Sequence, residues 1–116
     1  MRQEYNKLVR DRIPEIILKS GIECETVTLS EIEYQQALRQ KLIEEAQEAA
    51  VANNADLVIE IADLLEVVDA LLKSYEISHH KVLLEQDKKR ASKGDFDNKT
   101  MLLWTEEKRV RSRNIS

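Results

Sequence analysis

The chain has 116 residues, enough for one domain with a modest hydrophobic core. Charged residues make up 34% of the sequence, while only two residues are glycine and one is proline, a composition that favours helices. The net charge of −4 argues against a general nucleic-acid-binding protein. One cysteine cannot form an intramolecular disulfide, and no apolar run approaches the roughly 20 residues of a membrane span. We therefore expect a single cytoplasmic domain over residues 1–116 that associates with neither membrane nor nucleic acid.

The N-terminal part of the chain predicts two helices with a strand between them. Pro14 suits the first turn of a short helix, PEIILKS, and Gly21 is placed to end it. The following IECETVTL is rich in β-branched residues and predicts a strand. Ser30 and Glu33 have the S-x-x-E spacing of a capping box, which opens a long helix to about Ala52.

Two further helices are predicted in the C-terminal half. Asn53 and its neighbouring asparagine interrupt the long helix, and the next helix runs from about Ala55 to Tyr75. The last helix begins after Ser78 and ends at Gly94. The connection between the two long helices is short, so they are expected to pack as antiparallel neighbours.

The fold class predicted from these elements is mainly all-α. It is an antiparallel helical bundle that carries a small two-stranded β ribbon from about residues 23–29 and 99–104. Because a lone hairpin is marginal in water, this ribbon must pack on the helices or on a partner. The short basic run KRVRSR near the C-terminus is expected to be a solvated tail.

Four carboxylates on the two long helices border apolar surface. At about 100° per residue, Glu45 falls in the middle of the apolar stripe of its helix, and Glu48 lies one step to its side. Glu60 and Asp63 lie at the edge of the apolar arc of the next helix. A buried carboxylate without a partner costs several kcal/mol, so such groups are expected to be paired or to hold a metal ion.

Carboxylate oxygens suit Mg²⁺ or Mn²⁺, and carboxylate-held magnesium typically acts on phosphates. A phosphate site also needs cationic side chains, which the sequence offers at Lys7 and Arg10 and, late in the last helix, at Lys89 and Lys93. A purely structural reading stays open, in which the acids belong to an ordinary solvated face as Glu66 does.

The motifs together resemble a known superfamily. E-E-x-x-E at Glu44, Glu45 and Glu48, followed on the next helix by E-x-x-D at Glu60 and Asp63, resembles the all-α NTP pyrophosphohydrolases. That superfamily includes the MazG proteins, the dimeric dUTPases and the phosphoribosyl-ATP pyrophosphohydrolases. The opening YNKLVRDRIPEII and the closing K-x-x-x-K-G-x-F look like a small MazG-like, phosphoribosyl-ATP-pyrophosphohydrolase-like subgroup, and the resemblance covers roughly residues 5–106.

The resemblance implies Mg²⁺-dependent hydrolysis, with Mn²⁺ as an alternative ion. A nucleoside or deoxynucleoside triphosphate would yield the monophosphate and pyrophosphate, in a house-cleaning role. By motif, Glu45, Glu48, Glu60 and Asp63 would be the metal ligands. Glu44 and Glu45 would be the catalytic residues, with Glu44 helping to position or activate the attacking water.

The same resemblance implies that Lys89 and Lys93 contact phosphates together with Lys7 and Arg10, and that the chain forms a homodimer or homotetramer. Relatives often have Asn at the position of Gln86 and Arg at the position of Lys93. A lysine lacks the bidentate fork of arginine, so this contact is expected to be weaker or differently aimed. Two alternatives stay open: phosphoribosyl-ATP hydrolysis in histidine biosynthesis, and a non-catalytic helical oligomerisation or regulatory module.

Overall fold

The computed structural model describes residues 1–108, which contain four α-helices and no strand. The helices are α1 (Ile13–Lys19), α2 (Glu31–Val51), α3 (Leu57–Ser74) and α4 (His79–Lys93). The predicted all-α class is confirmed. The chain divides into two compact units, one from Met1 to Val82 and one from Leu83 onwards. All but the first residue of the basic run KRVRSR lies outside the described residues.

Local sequence signals determine where the helices begin and end. The Ser30 hydroxyl accepts a hydrogen bond from the backbone N–H of Glu33 at 3.2 Å, and the Glu33 carboxylate accepts one from the Ser30 N–H at 3.1 Å. The predicted capping box at the start of α2 is therefore confirmed. Gly21, just beyond α1, and Gly94, just beyond α4, both have φ of +86°, the left-handed conformation that glycine adopts without steric cost.

Helices α2 and α3 form an antiparallel hairpin, and its interface is the main contact between helices in the described chain. The connection is closed by a hydrogen bond from the Asp56 N–H to the Asn53 side chain at 2.9 Å. Leu38 of α2 and Val67 of α3 are the buried hydrophobic residues, at 2% and 8% exposure. This small core confirms the predicted pairing of the two helices.

Polar contacts hold the open end of the hairpin in register. The Ser74 hydroxyl donates a hydrogen bond to Glu31, and the Gln35 side chain donates one to the Ser74 carbonyl at 3.4 Å. Arg39 donates to the Tyr75 hydroxyl at 3.1 Å, with its guanidinium 5.1 Å from the centre of the Tyr75 ring. With the start of α2 held against the end of α3, the second half of α2 lies beside the first half of α3.

The predicted β ribbon is wrong. Residues 23–29 and 99–104 have no regular secondary structure, and Val27 and Leu103 are largely exposed. A strand needs both a backbone partner and a surface on which its side chains can pack. The β-branched and apolar residues of these segments have neither a strand partner nor such a surface in the structure.

A substantial apolar surface remains exposed on α3. Val58 is 77% exposed, Ile59 is 59% exposed and Leu65 is 55% exposed. None of the helices within residues 1–108 is long and apolar enough to cross a membrane. Val58, Ile61 (39% exposed) and Leu65 have the i, i+3, i+7 spacing that places them on one face of α3.

Candidate metal centre

Three carboxylates, called the acidic group below, meet where α2 and α3 pack together. Glu45 comes from α2, and Glu60 and Asp63 come from one turn of α3; one oxygen from each lies within 4.8 Å of the others. Two oxygens bound at about 2.1 Å to one Mg²⁺ ion are at most ~4.2 Å apart. Small side-chain adjustments would therefore let the three groups share one divalent cation.

Glu45 is the most unusual member of this group. Its residue is 7% exposed, and its pKa is raised by burial and by the neighbouring charge of Glu48. One carboxylate oxygen lies 3.5 Å from Lys41 Nζ, and the other is buried without a hydrogen-bond partner among the described residues. Glu60 also has a buried oxygen without such a partner. A buried acceptor left unpaired costs about 1–3 kcal/mol, so both oxygens fit a site for a positively charged ligand.

Glu48, the fourth predicted ligand, lies outside the group of three oxygens and is exposed. It is nevertheless close to Glu45, which lies three positions earlier on the same helix, and its charge contributes to the raised pKa of Glu45. The structure thus brings three of the four predicted ligands together and leaves Glu48 at the rim.

Basic side chains from the N-terminal segment lie against these acids. Arg10 donates a hydrogen bond from Nη2 to Asp63 Oδ1 at 2.8 Å. Lys7 Nζ donates to Glu44 Oε1 at 3.3 Å, and Lys41 Nζ donates to the same oxygen at 3.4 Å. Burial alone would raise the pKa of Glu44, but the Lys7 hydrogen bond and the charges of Lys41 and Lys7 outweigh it and lower that pKa. Glu44 is therefore ionised at neutral pH.

Three cationic side chains pair with acids at this site. Lys7 and Lys41 pair with Glu44, Lys41 also pairs with Glu45, and Arg10 pairs with Asp63. Sequence reasoning missed Lys41, although its i, i+3 and i, i+4 spacing to Glu44 and Glu45 was the signal that could have identified it.

Lys89 and Lys93 lie near the end of α4, within the second compact unit. The same stretch carries two ion pairs between residues three positions apart, Lys88 with Glu85 at 3.3 Å and Arg90 with Asp87 at 3.7 Å. The phosphate-binding role of Lys89 and Lys93 stays a prediction.

No family model matches this chain, and no solved structure matches it. A protein of Mycolicibacterium smegmatis is 48% identical over 54 residues, which are 47% of this chain and 55% of that protein. The chain thus spans about half the length of this relative, which is described as an uncharacterized protein.

Proposed function

We propose that this chain is a Mg²⁺-dependent nucleoside triphosphate pyrophosphohydrolase that converts NTP or dNTP to the monophosphate and pyrophosphate, with Mn²⁺ able to replace Mg²⁺. The observation that carries the proposal is the buried Glu45, which has an unpaired oxygen beside Glu60 and Asp63. The order of the acidic motifs, which resembles that of the all-α NTP pyrophosphohydrolases, supports the substrate class.

Each acidic residue has a distinct part in this proposal. Glu45, Glu60 and Asp63 would hold the ion, and Glu48 would add negative charge at the rim. When bound, the ion would neutralise and polarise the phosphoryl oxygens of the substrate. Glu44, kept ionised by its lysine neighbours, would accept a hydrogen bond from the attacking water and orient it.

The cations would act on the phosphates. Lys7 and Arg10 already lie at the edge of the acidic group, where a bound triphosphate would meet them. They would neutralise the phosphates and stabilise pyrophosphate as it leaves. By the resemblance, Lys89 and Lys93 would also contact phosphates. Arginine also offers a planar fork that matches two phosphate oxygens at once.

A test of the activity is incubation of the purified chain with Mg²⁺ and a panel of NTPs, dNTPs and phosphoribosyl-ATP, with separation of the products. We expect release of pyrophosphate together with a monophosphate, and a loss of at least ~100-fold in Glu60→Gln. Glu66→Gln is the matched control, because Glu66 is an exposed acid of the same helix outside the acidic group. If phosphoribosyl-ATP alone is consumed, the enzyme belongs instead to histidine biosynthesis.

Metal-dependent stability separates an enzyme of this class from a non-catalytic helical module. An ion that binds only the folded chain stabilises it by ~2.7 kcal/mol at a concentration 100-fold above its dissociation constant. We therefore expect Mn²⁺ to raise the melting temperature of the wild type and of Glu66→Gln, but not that of Glu60→Gln. Equal melting temperatures with Mn²⁺ and with EDTA, together with no hydrolysis, would leave the oligomerisation or regulatory module as the correct reading.

We also infer that the chain forms a homodimer or homotetramer. The observation that supports this inference is the exposed apolar surface of α3, which includes Val58, Ile61 and Leu65. Isolated apolar residues are common on protein surfaces, but neighbouring residues of one helix face form a patch of the kind that marks an interface.

A further inference from the structure

The N-terminal strap, defined here as residues 7–12, connects acids from both helices of the hairpin. Lys7 contacts Glu44 of α2, and Arg10 contacts Asp63 of α3. The backbone of the strap is anchored to the start of α1, since the Ile13 N–H donates a hydrogen bond to the Arg10 carbonyl at 3.0 Å. The anchored backbone of the strap thus places the Arg10 side chain within reach of Asp63.

Asp63 is the residue for which two cations compete. Its carboxylate accepts the 2.8 Å hydrogen bond from Arg10, and it is also one of the three groups that could hold a divalent ion. A guanidinium and a divalent ion on one carboxylate repel each other, even where water screens them. Both side chains are partly exposed, at 58% for Arg10 and 37% for Asp63, so Arg10 can leave Asp63 without burying an unpaired charge.

We propose that Arg10 competes with the divalent cation for Asp63 and is transferred to the triphosphate when both ligands are bound. The proposal rests on the metal site of the proposed function. In the structure Arg10 neutralises Asp63, and the strap contacts both helices of the hairpin. The divalent cation loosens the strap, and the phosphates then offer the displaced guanidinium a bidentate partner. Arg10 thereby couples the two binding events, so each ligand strengthens the binding of the other.

A purely supporting role for Arg10 predicts the opposite effect on metal affinity. A residue that only orients a metal ligand increases affinity for the ion, and its removal typically weakens binding by 10- to 100-fold. A competitor decreases that affinity, and its removal tightens binding. The sign of the change therefore distinguishes the two roles.

The first measurement is a titration of the nucleotide-free chain with Mn²⁺, in which electron paramagnetic resonance reports the concentration of unbound ion. Arg10→Gln is expected to tighten Mn²⁺ binding by roughly two- to fivefold, the factor expected for losing one partly exposed ion pair. Arg12→Gln is the matched control, because the Arg12 side chain is 79% exposed and pairs with Glu15 at 3.6 Å rather than with the acidic group. It is expected to leave the dissociation constant unchanged.

The second measurement repeats the titration with an α,β-methylene deoxynucleoside triphosphate, which resists cleavage between the α- and β-phosphates. In the wild type the analogue should tighten Mn²⁺ binding, and this gain should be smaller in Arg10→Gln. The affinity of Arg10→Gln for the analogue should fall roughly tenfold, since a hydrogen bond to a charged group is lost.

The third measurement uses only the wild-type chain, so it is decisive even if Arg10→Gln fails to fold. Hydrogen exchange of the Ile13 amide, which donates to the Arg10 carbonyl and so reports on the strap, should become faster when Mn²⁺ is added and slower again when the analogue is added as well. Slower exchange with Mn²⁺ alone would overturn the proposal, as would weaker or unchanged Mn²⁺ binding in a folded Arg10→Gln.

These outcomes separate this inference from the proposed function. If the wild type binds Mn²⁺ and hydrolyses triphosphates while Arg10→Gln has the same Mn²⁺ affinity, only the role of Arg10 is overturned. If neither the wild type nor Arg10→Gln binds Mn²⁺, the metal site and the role of Arg10 are overturned together.

Discussion

At the scale of single residues, Glu45 is an acid in a buried position, and burial opposes its ionisation. Its carboxylate lies at the α2–α3 interface with a raised pKa, and within residues 1–108 its ion pair is with Lys41 at 3.5 Å. Such a residue lowers the stability of the metal-free chain, and it persists where a ligand compensates for its charge.

Glu45→Gln is expected to stabilise the metal-free chain at neutral pH. For an acid whose pKa is raised in the folded state, the stabilising contribution is present below its ordinary pKa of 4.5 and is lost as the pH rises through the folded value. In urea unfolding with EDTA, Glu45→Gln should therefore be about 1 kcal/mol more stable than the wild type at pH 7. The difference should shrink towards zero near pH 4.

The matched control for this prediction is Glu66→Gln, whose stability relative to the wild type should not change over the same pH range. Adding Mn²⁺ at pH 7 should reverse the order, because the wild type gains a bound ion and Glu45→Gln loses a ligand. A Glu45→Gln chain that is less stable than the wild type in EDTA at pH 7 would contradict the prediction.

Helical spacing correctly distinguished the acids of α2. It placed Glu45 in the apolar stripe and Glu48 at its side, and the structure buries the first and exposes the second. A regular helix fixes which residues share a face, so local sequence contains this information. The contact of Arg10 with Asp63 joins residues 53 positions apart and depends on the path of the N-terminal strap, which no local pattern specifies.

At the scale of elements, the α2–α3 hairpin positions the acidic group, and the capping box at Ser30 fixes where α2 begins. The backbone N–H of Ser30 and then its side chain lower the pKa of Glu33. The stabilising contribution of Glu33 is thus present above the ordinary pKa of 4.5 and is lost as the pH falls through the lowered folded value.

Ser30→Ala is expected to destabilise the chain by about 1 kcal/mol, because the first turn of α2 loses the acceptor for the Glu33 N–H. Urea unfolding at pH 7 measures this loss. Thr28→Ala, which removes an exposed hydroxyl two positions earlier, serves as the control and should leave the unfolding midpoint in place. Equal midpoints for Ser30→Ala and Thr28→Ala would show that the capping box contributes nothing to stability.

The predicted ends of α1 and α4 were confirmed because a glycine follows each helix. Gly21 and Gly94 both follow the helices that they were expected to end. The prediction of the ribbon was wrong because a strand needs a second segment to pair with. The composition of residues 23–29 contains no information about where that segment lies.

At the scale of the whole molecule, the exposed face of α3 is the feature that the described chain leaves without a partner. A charge placed in a self-association interface would have to be buried unpaired when two copies meet. Leu65 lies on this face at 55% exposure, so it is suited to such a test.

Leu65→Glu is expected to weaken self-association by roughly 100-fold, the equilibrium factor for about 2.7 kcal/mol. Sedimentation velocity over a range of concentrations measures the effect, and Glu66→Gln next to it should associate like the wild type. A wild type that sediments as a monomer at every concentration would refute the proposed oligomer.

The α2–α3 hairpin also has a consequence for the entropy of chain closure. Glu45 and Asp63 are 18 positions apart, whereas Asp63 and Arg10 are 53 positions apart. Because the entropic cost of closing a loop grows with the logarithm of its length, the contact between the acids is favoured by about 1 kcal/mol over the contact with Arg10. The contact between Glu45 and Asp63, which are closer in the chain, thus brings two negative charges together. The contact with Arg10, which has the higher entropic cost, neutralises Asp63.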